Sequence, residues 1–402
     1  MDAPDPRRRL LLSFFQAGLE RVSGRAAVAS ALQAASGQVW IAAVGKAASA
    51  MALGAHDVLG DAVQRVLLIT KYGHVAPQAQ LLPAVDVIES AHPLPDERSL
   101  VAGVSLLRFI DELPEQVSPL FLISGGASSL VEVLQDGVTF AHLAQLNAEC
   151  LASGIDITEL NARRARLSRI KGGGLARLLK GRAARALFIS DVPGDDPAVI
   201  GSGLMGPAGE GPDHVERRVV ATVNDAVEAA CDAARKCSLD VLQLPGRFDG
   251  DAARLAVRFA HELHLHPAQV CVWGGESTVQ LPAEAGRGGR NQHLALAAAR
   301  LLAGQPQLMV LAAGTDGTDG PTEDAGALVD SGSWERVAAA GMDPESCLRR
   351  ADSGTALAAS GDLVHTGPTG TNVGDLLIGL KLSAAAAKVL CEGGDAPDTH
   401  VL

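Results

Sequence analysis

The sequence predicts an α/β protein with two domains, and three observations lead to this expectation. Short aliphatic runs alternate with amphipathic helical patterns along the chain, which is typical of parallel strands covered by helices on both faces. Aromatic residues make up 3% of the chain and hydrophobic residues 47%, so aliphatic helices must pack on aliphatic strands. The 402 residues also exceed the roughly 250–300 at which a single core stops growing.

The individual elements follow from these patterns. Brief β-branched or aliphatic runs predict strands at residues 39–44, 66–70, 85–88, 120–124, 186–190, 270–273, 308–313 and 376–380. Apolar residues at helical spacing predict helices at residues 11–22, 99–110, 139–151, 217–234, 251–264 and 292–302. The segment around Gly246 combines glycine and proline and predicts a crossing between domains. We therefore expect one domain at 1–245 and another at 246–402.

Charge and cysteine usage exclude several classes of protein. The net charge of −12 argues against binding to nucleic acid or to an anionic membrane, since either needs a basic face. Six cysteines are scattered without a CxxC pair, which predicts no zinc site or disulfide framework and favours a reducing cytoplasm. The apolar stretch at residues 10–15 is too short for an export signal, and no run approaches the roughly 18 residues of a membrane span.

Candidate binding residues follow the predicted strands, because ligands of open α/β sheets collect beyond the carboxyl ends of the strands. Gly45 and Lys46 come after the first strand, where an ammonium at a helix start can meet a phosphate; the alternative is an exposed lysine. The segment SGGASS follows the fourth strand, and its glycines and hydroxyls predict an anion-binding loop or a packing turn. Its candidate residues are Ser124, Gly125, Gly126, Ser128 and Ser129.

Two further segments of the first half carry candidate residues. The segment NARRARLSRIKGGG concentrates cations, and Lys171 with Gly172 and Gly173 predicts a phosphate-facing loop, although a solvated basic helix explains most of these residues. Asp191 comes directly after a predicted strand, where a carboxylate could hold Mg²⁺ or accept a hydroxyl proton. The alternative for Asp191 is an Asx turn.

The second half offers an arginine and a group of acids. Arg290 follows GRGG and opens a helix, so its guanidinium could bind a carboxylate or a transferring phosphoryl group. Asp316 lies in GTDGTDGPT after another strand, and the spacing differs from that of an EF-hand. The segment TGPTGTN, with Thr369 and Asn372, could clamp a nucleotide or turn the chain.

Two motifs predict structure without function. GSGLMG at residues 201–206 matches the dinucleotide fingerprint GxGxxG, but proline and glycines follow where a helix should begin, so we expect a loop. His261, His264 and His266 do not share one helical face, so we expect no metal site there.

Eight motifs in order resemble the class II glycerate kinases: VGKAASAM, LISGGASSLVE, LNARRARLSRIKGGGLA, SDVPGDDPAVIGSG, GGESTV, GRGGRNQHLAL, AAGTDGTDGPTEDAGA and TGPTGTNVGDL. The resemblance spans about Val39 to Leu380. It implies a Rossmann-like N-terminal domain, a MOFRL-type α/β C-terminal domain and an active site in the cleft between them. It also implies that ATP phosphorylates the 2-hydroxyl of D-glycerate with Mg²⁺.

The resemblance points to Lys46, Asp191, Arg290 and Asp316 as the principal charged residues. The loops at Ser124–Ser129 and Lys171–Gly173, with Thr369 and Asn372, are then expected to hold ATP. Asp191 and Asp316 are the expected Mg²⁺ ligands, and one of them would accept the proton of the C2 hydroxyl. Further substrate contacts are expected from Gly45, Asn161, Glu276, Asn291 and Asp319.

Two other functions stay open at this point. Members of the family are often labelled hydroxypyruvate reductase, a reaction that needs a nicotinamide pocket. A non-catalytic nucleotide-binding regulator would bind ATP and release no ADP. The sequence leaves the oligomeric state open, with a homodimer as one alternative.

Overall fold

The structure is a computed structural model that describes residues 5–34, 37–153, 157–207 and 214–393. Contacts divide the chain into two compact units. The parallel-sheet unit comprises Ser23–Thr222 with Gly370–Val373, and the mixed-sheet unit comprises Met1–Val22, Val223–Thr369 and Gly374–Leu402. Among the described helices, none combines the length and the hydropathy needed to cross a bilayer.

The strands and helices alternate along most of the chain. The strands are β1 (Val39–Val44), β2 (Val63–Lys71), β3 (Val85–Ser90), β4 (Ser118–Ile123), β5 (Ala184–Ile189), β6 (Val215–Ala221), β7 (Val241–Gln243), β8 (Phe248–Asp251), β9 (Val270–Thr278), β10 (Leu308–Gly314), β11 (Gly326–Asp330), β12 (Leu363–Val364) and β13 (Asp375–Lys381). The helices are α1 (Pro6–Arg21), α2 (Gly24–Ala31), α3 (Ala48–Leu59), α4 (Glu97–Asp111), α5 (Ala127–Leu130), α6 (Phe140–Ser153), α7 (Ile157–Leu167), α8 (Gly174–Leu178), α9 (Val223–Lys236), α10 (Ala252–Leu265), α11 (Arg290–Leu302), α12 (Ser333–Ala339), α13 (Pro344–Arg349), α14 (Ser353–Ser360) and α15 (Ala384–Gly393).

The parallel-sheet unit contains six strands in the order β3-β2-β1-β4-β5-β6. All neighbouring strands run parallel, which confirms the expectation for the first half of the chain. Val44, Phe121 and Phe188 are buried in one core cluster of this unit. Because the strands are parallel, the residues that follow β1, β4 and β5 lie at one edge of the sheet.

The mixed-sheet unit has the strand order β12-β11-β10-β13-β9-β7, with β8 also paired to β9. Here β9, β13, β10 and β11 pair antiparallel, and only β7 and β8 run parallel to β9. The prediction of parallel strands is therefore wrong for this sheet. The connection from β10 to β11 contains no helix, and antiparallel neighbours need no helical crossover.

The helix expected at residues 217–234 also differs from the structure. Residues 217–234, predicted as one helix, begin in β6 and continue in α9, because the valine pair at 219–220 extends an edge strand. Residues 1–22 and 223–245, expected in the first domain, group with the mixed-sheet unit. Helix α1 packs on α9 there, and a Cβ at Gly18 would lie 3.1 Å from the carbonyl oxygen of Ala226. The boundary at 245 and 246 stays a prediction.

Candidate active site

The carboxyl edge of the parallel sheet brings the loops after β1 and β4 into close contact. The backbone N–H of Lys46 donates to the carbonyl of Gly125 at 3.0 Å, and that of Ala47 donates to Ser124 Oγ at 3.1 Å. Gly45 has φ of +128°, and a Cβ there would overlap Ser124. The glycine therefore permits the approach that fixes Lys46 beside the SGG turn.

Asp191, which follows β5, reaches the same turn. The Nδ2 of Asn372 donates to Asp191 Oδ2 at 3.0 Å, and a Cβ at Gly125 would overlap both of these side chains. A Cβ at Gly126 would lie 3.3 Å from Lys46 Cγ and 3.1 Å from His92 Cδ2. The structure thus brings Lys46, Asp191 and Asn372 together around the glycines. The sequence analysis did not select His92. The feature that could have selected it is its position just after β3.

The serine side chains of this turn also interact within the unit. Ser128 Oγ lies 2.6 Å from Ser202 Oγ, and Ser129 Oγ donates to the carbonyl of Gly126 at 3.2 Å. Both hydroxyls thus have protein partners. The glycine backbone remains the part of this turn best suited to a phosphate oxygen.

Lys171 does not face a surface as the sequence suggested. Its side chain is buried, and the ammonium forms an ion pair with the equally buried Glu132. Glu132 also accepts from Ser168 Oγ at 2.5 Å and from the N–H of Val133 at 3.0 Å. Burial lowers the pKa of Lys171, while the charge of Glu132 opposes that shift. The expected phosphate contact of Lys171 is corrected to a buried structural pair.

The backbone N–H groups of the two glycines after Lys171 also have protein partners. The N–H of Gly172 donates to the carbonyl of Ser202 at 3.0 Å, and that of Gly173 donates to Gly203 at 2.7 Å. These amides hold two loops together and have no donor left for phosphate. The sequence 201–206 that matches GxGxxG forms this partner loop, with a short 3₁₀ turn, as expected. Asn161 lies in α7, and its side chain lies outside the described residues.

In the mixed-sheet unit, Arg290 is held by two carboxylates. Its Nε and Nη2 donate to Asp375 at 2.6 and 2.9 Å, and its Nη1 donates to Glu276 at 2.6 Å. Asp375 is fully buried, whereas the side chains of Arg290 and Glu276 are 35% and 43% exposed. Burial opposes the charge on Arg290, yet Asp375 and Glu276 raise its pKa well above the usual value. Asp375 was missed because a lone acid before an apolar strand gives no signal.

Asp319 secures the start of α11, the helix that carries Arg290. It accepts the backbone N–H groups of Asn291 and Gln292 at 3.1 and 2.7 Å, which satisfies two donors of the first turn. Burial raises the pKa of Asp319 to about 7, and the charge of Asp375 adds to the shift. Asn291 and Asp319 are each no more than 2% exposed. Their expected substrate contacts are therefore corrected to a role in fixing this helix start.

Asp316 lies at the same strand end as Asp375, the buried partner of Arg290. A Cβ at Gly314 would lie 3.3 Å from Asp316 Oδ1 and 3.5 Å from Asp375 Oδ1, so both carboxylates border the end of β10. The N–H of Thr318 donates to Asp316 Oδ1 at 3.0 Å. Thr369 Oγ1 donates to the carbonyl of Thr315 at 2.5 Å, which ties the 366–369 segment to this loop.

The acids offer oxygen ligands of the kind that Mg²⁺ takes in proteins. Among the described residues, no cluster of three histidines, cysteines or acids could hold a metal alone, and His261, His264 and His266 form none. Mg²⁺ commonly takes one or two carboxylates and completes its shell with phosphate oxygens and water. Asp191 beside Asn372, and Asp316 near Asp375, supply oxygen donors of this kind.

Comparison with known proteins identifies two matching families. The family described as a domain of unknown function, DUF4147, matches residues 10–231, and the MOFRL family matches residues 269–375. Together they extend over both units of the structure.

Individual relatives cover nearly the whole chain. A protein of Thermotoga maritima named D-glycerate 2-kinase is 35% identical over 94% of this chain and 99% of its own. A glycerate 2-kinase of Pyrococcus horikoshii is 32% identical over 86% of this chain and 88% of its own. A protein of Agrobacterium vitis that is provisionally named a hydroxypyruvate reductase is 35% identical over 85% of this chain and 98% of its own.

A solved structure shows the same fold. The crystal structure of glycerate kinase from Thermotoga maritima superposes with a TM-score of 0.81 at 33% sequence identity, covering 94% of this chain and 100% of that one. The similarity of both sequence and fold to glycerate kinases thus agrees with the resemblance that the ordered motifs indicate. The chain therefore belongs to the glycerate 2-kinase family that carries the DUF4147 and MOFRL domains.

Proposed function

We propose that this protein transfers the γ-phosphoryl group of ATP to the C2 hydroxyl of D-glycerate, giving 2-phosphoglycerate and ADP. The observation that carries the proposal is a cation near carboxylates at a glycine-rich turn in each unit. Lys46 and Asp191 meet at Gly125 and Gly126, and Arg290 lies beside Asp375 near Asp316. Phosphoryl transfer depends mainly on alignment and on neutralising charge, which such groups provide.

Each charged residue then has a role in one balanced step. The hydroxyl oxygen of glycerate forms a bond to the γ-phosphorus, the bond to the leaving oxygen of ADP breaks, and the hydroxyl proton passes to a carboxylate. Asp191 or Asp316 accepts that proton, and the other holds Mg²⁺, which would offset phosphate charge. Lys46 neutralises the transferring group, and Arg290 binds the glycerate carboxylate or the same phosphoryl group.

The same loops support a proposal for the binding contacts. The backbone of Ser124–Gly126, with Ser128, Ser129, Thr369 and Asn372, is proposed to contact ATP, and Gly45 and Glu276 to border the substrate. The buried pair of Lys171 and Glu132 supports a structural role for that segment. A cytoplasmic location and a homodimer also stay predictions.

The function is tested by a direct comparison of two assays. Purified protein with D-glycerate, ATP and Mg²⁺ should release ADP, and the same protein with hydroxypyruvate should not consume NADH or NADPH. A panel of small hydroxy acids in the first assay defines the substrate. Reduced-nicotinamide consumption without ADP release would favour the reductase, and ATP binding without ADP release from any hydroxy acid would favour a regulator.

A further inference from the structure

The two carboxylates that hold Arg290 differ in burial and in backbone support. Asp375 has a fully buried side chain and opens β13, where its backbone pairs with Gly314 of β10 and Gly275 of β9. Glu276 lies on β9 with 43% of its side chain exposed. Asp375 is thus fixed in the middle of a sheet, and Glu276 borders solvent.

These carboxylates also use different parts of the guanidinium. Asp375 accepts from Nε and Nη2, the paired geometry in which a carboxylate holds arginine most rigidly. Glu276 accepts from Nη1 instead. The Nη1 side therefore meets a partly exposed carboxylate, and the Nε side meets a buried one through paired bonds.

Charge decides which partner a ligand could replace. Two carboxylates already contact the guanidinium, and their negative charge repels an added anion there unless one of them moves away. Displacing Asp375 from Arg290 would leave the Asp375 carboxylate buried without its counter-ion, whereas a displaced Glu276 can be hydrated at the surface. Glu276 is therefore the partner that a ligand can displace from Arg290.

We propose that Asp375 is a positioning residue that fixes Arg290, and that Glu276 occupies the Nη1 position until a carboxylate or phosphoryl oxygen of the ligand displaces it. The inference rests on the proposed function, since it assigns Arg290 to an anionic substrate. It predicts that the two acids give opposite effects when their charges are removed.

The first test is a double-mutant cycle on Asp375 and Arg290. Asp375→Asn should lower kcat/KM for D-glycerate by about 10²-fold, the scale for loss of one preorganised donor. In an Arg290→Ala background the same change should cause no further loss, because the residue it positions is gone. Losses that multiply in the double variant would overturn the positioning role.

Thermal stability gives a second measurement of this pair without turnover. Arg290→Ala leaves Asp375 buried and uncompensated, so adding Asp375→Asn should raise the thermal midpoint above that of the single variant. A double variant that is less stable than Arg290→Ala would contradict the pairing. If the wild-type protein releases no ADP from D-glycerate, the proposed function fails while this cycle still tests Asp375.

The second test removes the charge of Glu276. Glu276→Gln should lower KM for D-glycerate several-fold, by up to about tenfold, because the ligand no longer displaces a charged competitor. Inorganic phosphate should also raise the thermal midpoint of this variant more than that of the wild-type protein, a readout independent of turnover. Glu284→Gln, at an exposed acid of the same unit, is the matched control and should leave both values unchanged. A higher KM and weaker phosphate stabilisation in Glu276→Gln would overturn the displacement.

Discussion

Lys171 and Arg290 occupy similar positions in the sequence and opposite environments in the structure. Each is a cation beside consecutive glycines, and each is held by at least one buried carboxylate. Lys171 is closed off with Glu132, while the side chain of Arg290 keeps 35% of its surface exposed. A basic residue near glycines is therefore a candidate for phosphate binding only when part of its charge remains accessible.

The comparison predicts that the two cations fail in different ways when removed. A closed ion pair acts on stability, because loss of one partner leaves a buried charge. A partly exposed cation is expected to act on ligand binding and turnover, because its charge is accessible to a ligand. Variants at the two sites should separate these effects.

The largest expected effect is on stability at the closed pair. Lys171→Met should lower the free energy of unfolding by about 3–5 kcal/mol, because Glu132 then stays buried without a counter-ion. Adding Glu132→Gln should recover part of that loss. Chemical unfolding of the three proteins measures this, and the folded Lys171→Met protein should keep near-normal kcat at low temperature. A large loss of kcat in folded protein would restore Lys171 to the phosphate site.

The open cation gives the next largest effect. Arg290→Ala should reduce kcat/KM by roughly 10² or more, the scale for loss of one preorganised transition-state donor. Arg300→Ala removes another cation of α11, one that pairs with Glu345 at the surface, and should change activity little. Near-normal activity of folded Arg290→Ala would remove this residue from catalysis.

The pH dependence of stability tests the environment of Asp319, which holds the start of the helix that carries Arg290. Asp319 has its pKa raised from 3.8 to about 7, so its contribution to folding is fully present below pH 3.8 and is lost as the pH rises through 7. Between pH 5 and 7 this should lower the free energy of unfolding by about 2 kcal/mol. Asp319→Asn should remove that part of the pH dependence in unfolding experiments. An unchanged slope would show that Asp319 is ionised throughout.

Sequence patterns predicted the residues that follow strands better than the partners that hold them. Lys46, Asp191 and Asp316 each lie just after a strand, parallel or antiparallel. Residues in that position are the ones that the rule on ligand sites of α/β sheets selects. Asp375 and Glu132 were missed because their pairing joins residues far apart in the chain, and strand order decides which of these meet. The same limit explains the error over the mixed sheet: β9 and β10, which α11 connects, run in the same direction, but antiparallel β13 from far along the chain lies between them.

The smallest expected effect tests the glycine turn of the parallel-sheet unit. Gly125→Ala should lower kcat about tenfold, because the added Cβ overlaps Asp191 and Asn372 and displaces them. Gly37→Ala is the matched control, since a Cβ there meets no atom within 4 Å. Activity assays on both proteins measure this, and equal activity would show that the turn tolerates a side chain.

The most direct test of the central claim is to identify the phosphorylated carbon. After incubation with D-glycerate, ATP and Mg²⁺, the proton-coupled phosphorus NMR signal of the product reports how many hydrogens its ester carbon carries. Transfer to the C2 hydroxyl predicts a doublet, because that carbon bears a single hydrogen. A triplet would place the phosphate on the terminal carbon, and the absence of any new phosphate ester would contradict the kinase function.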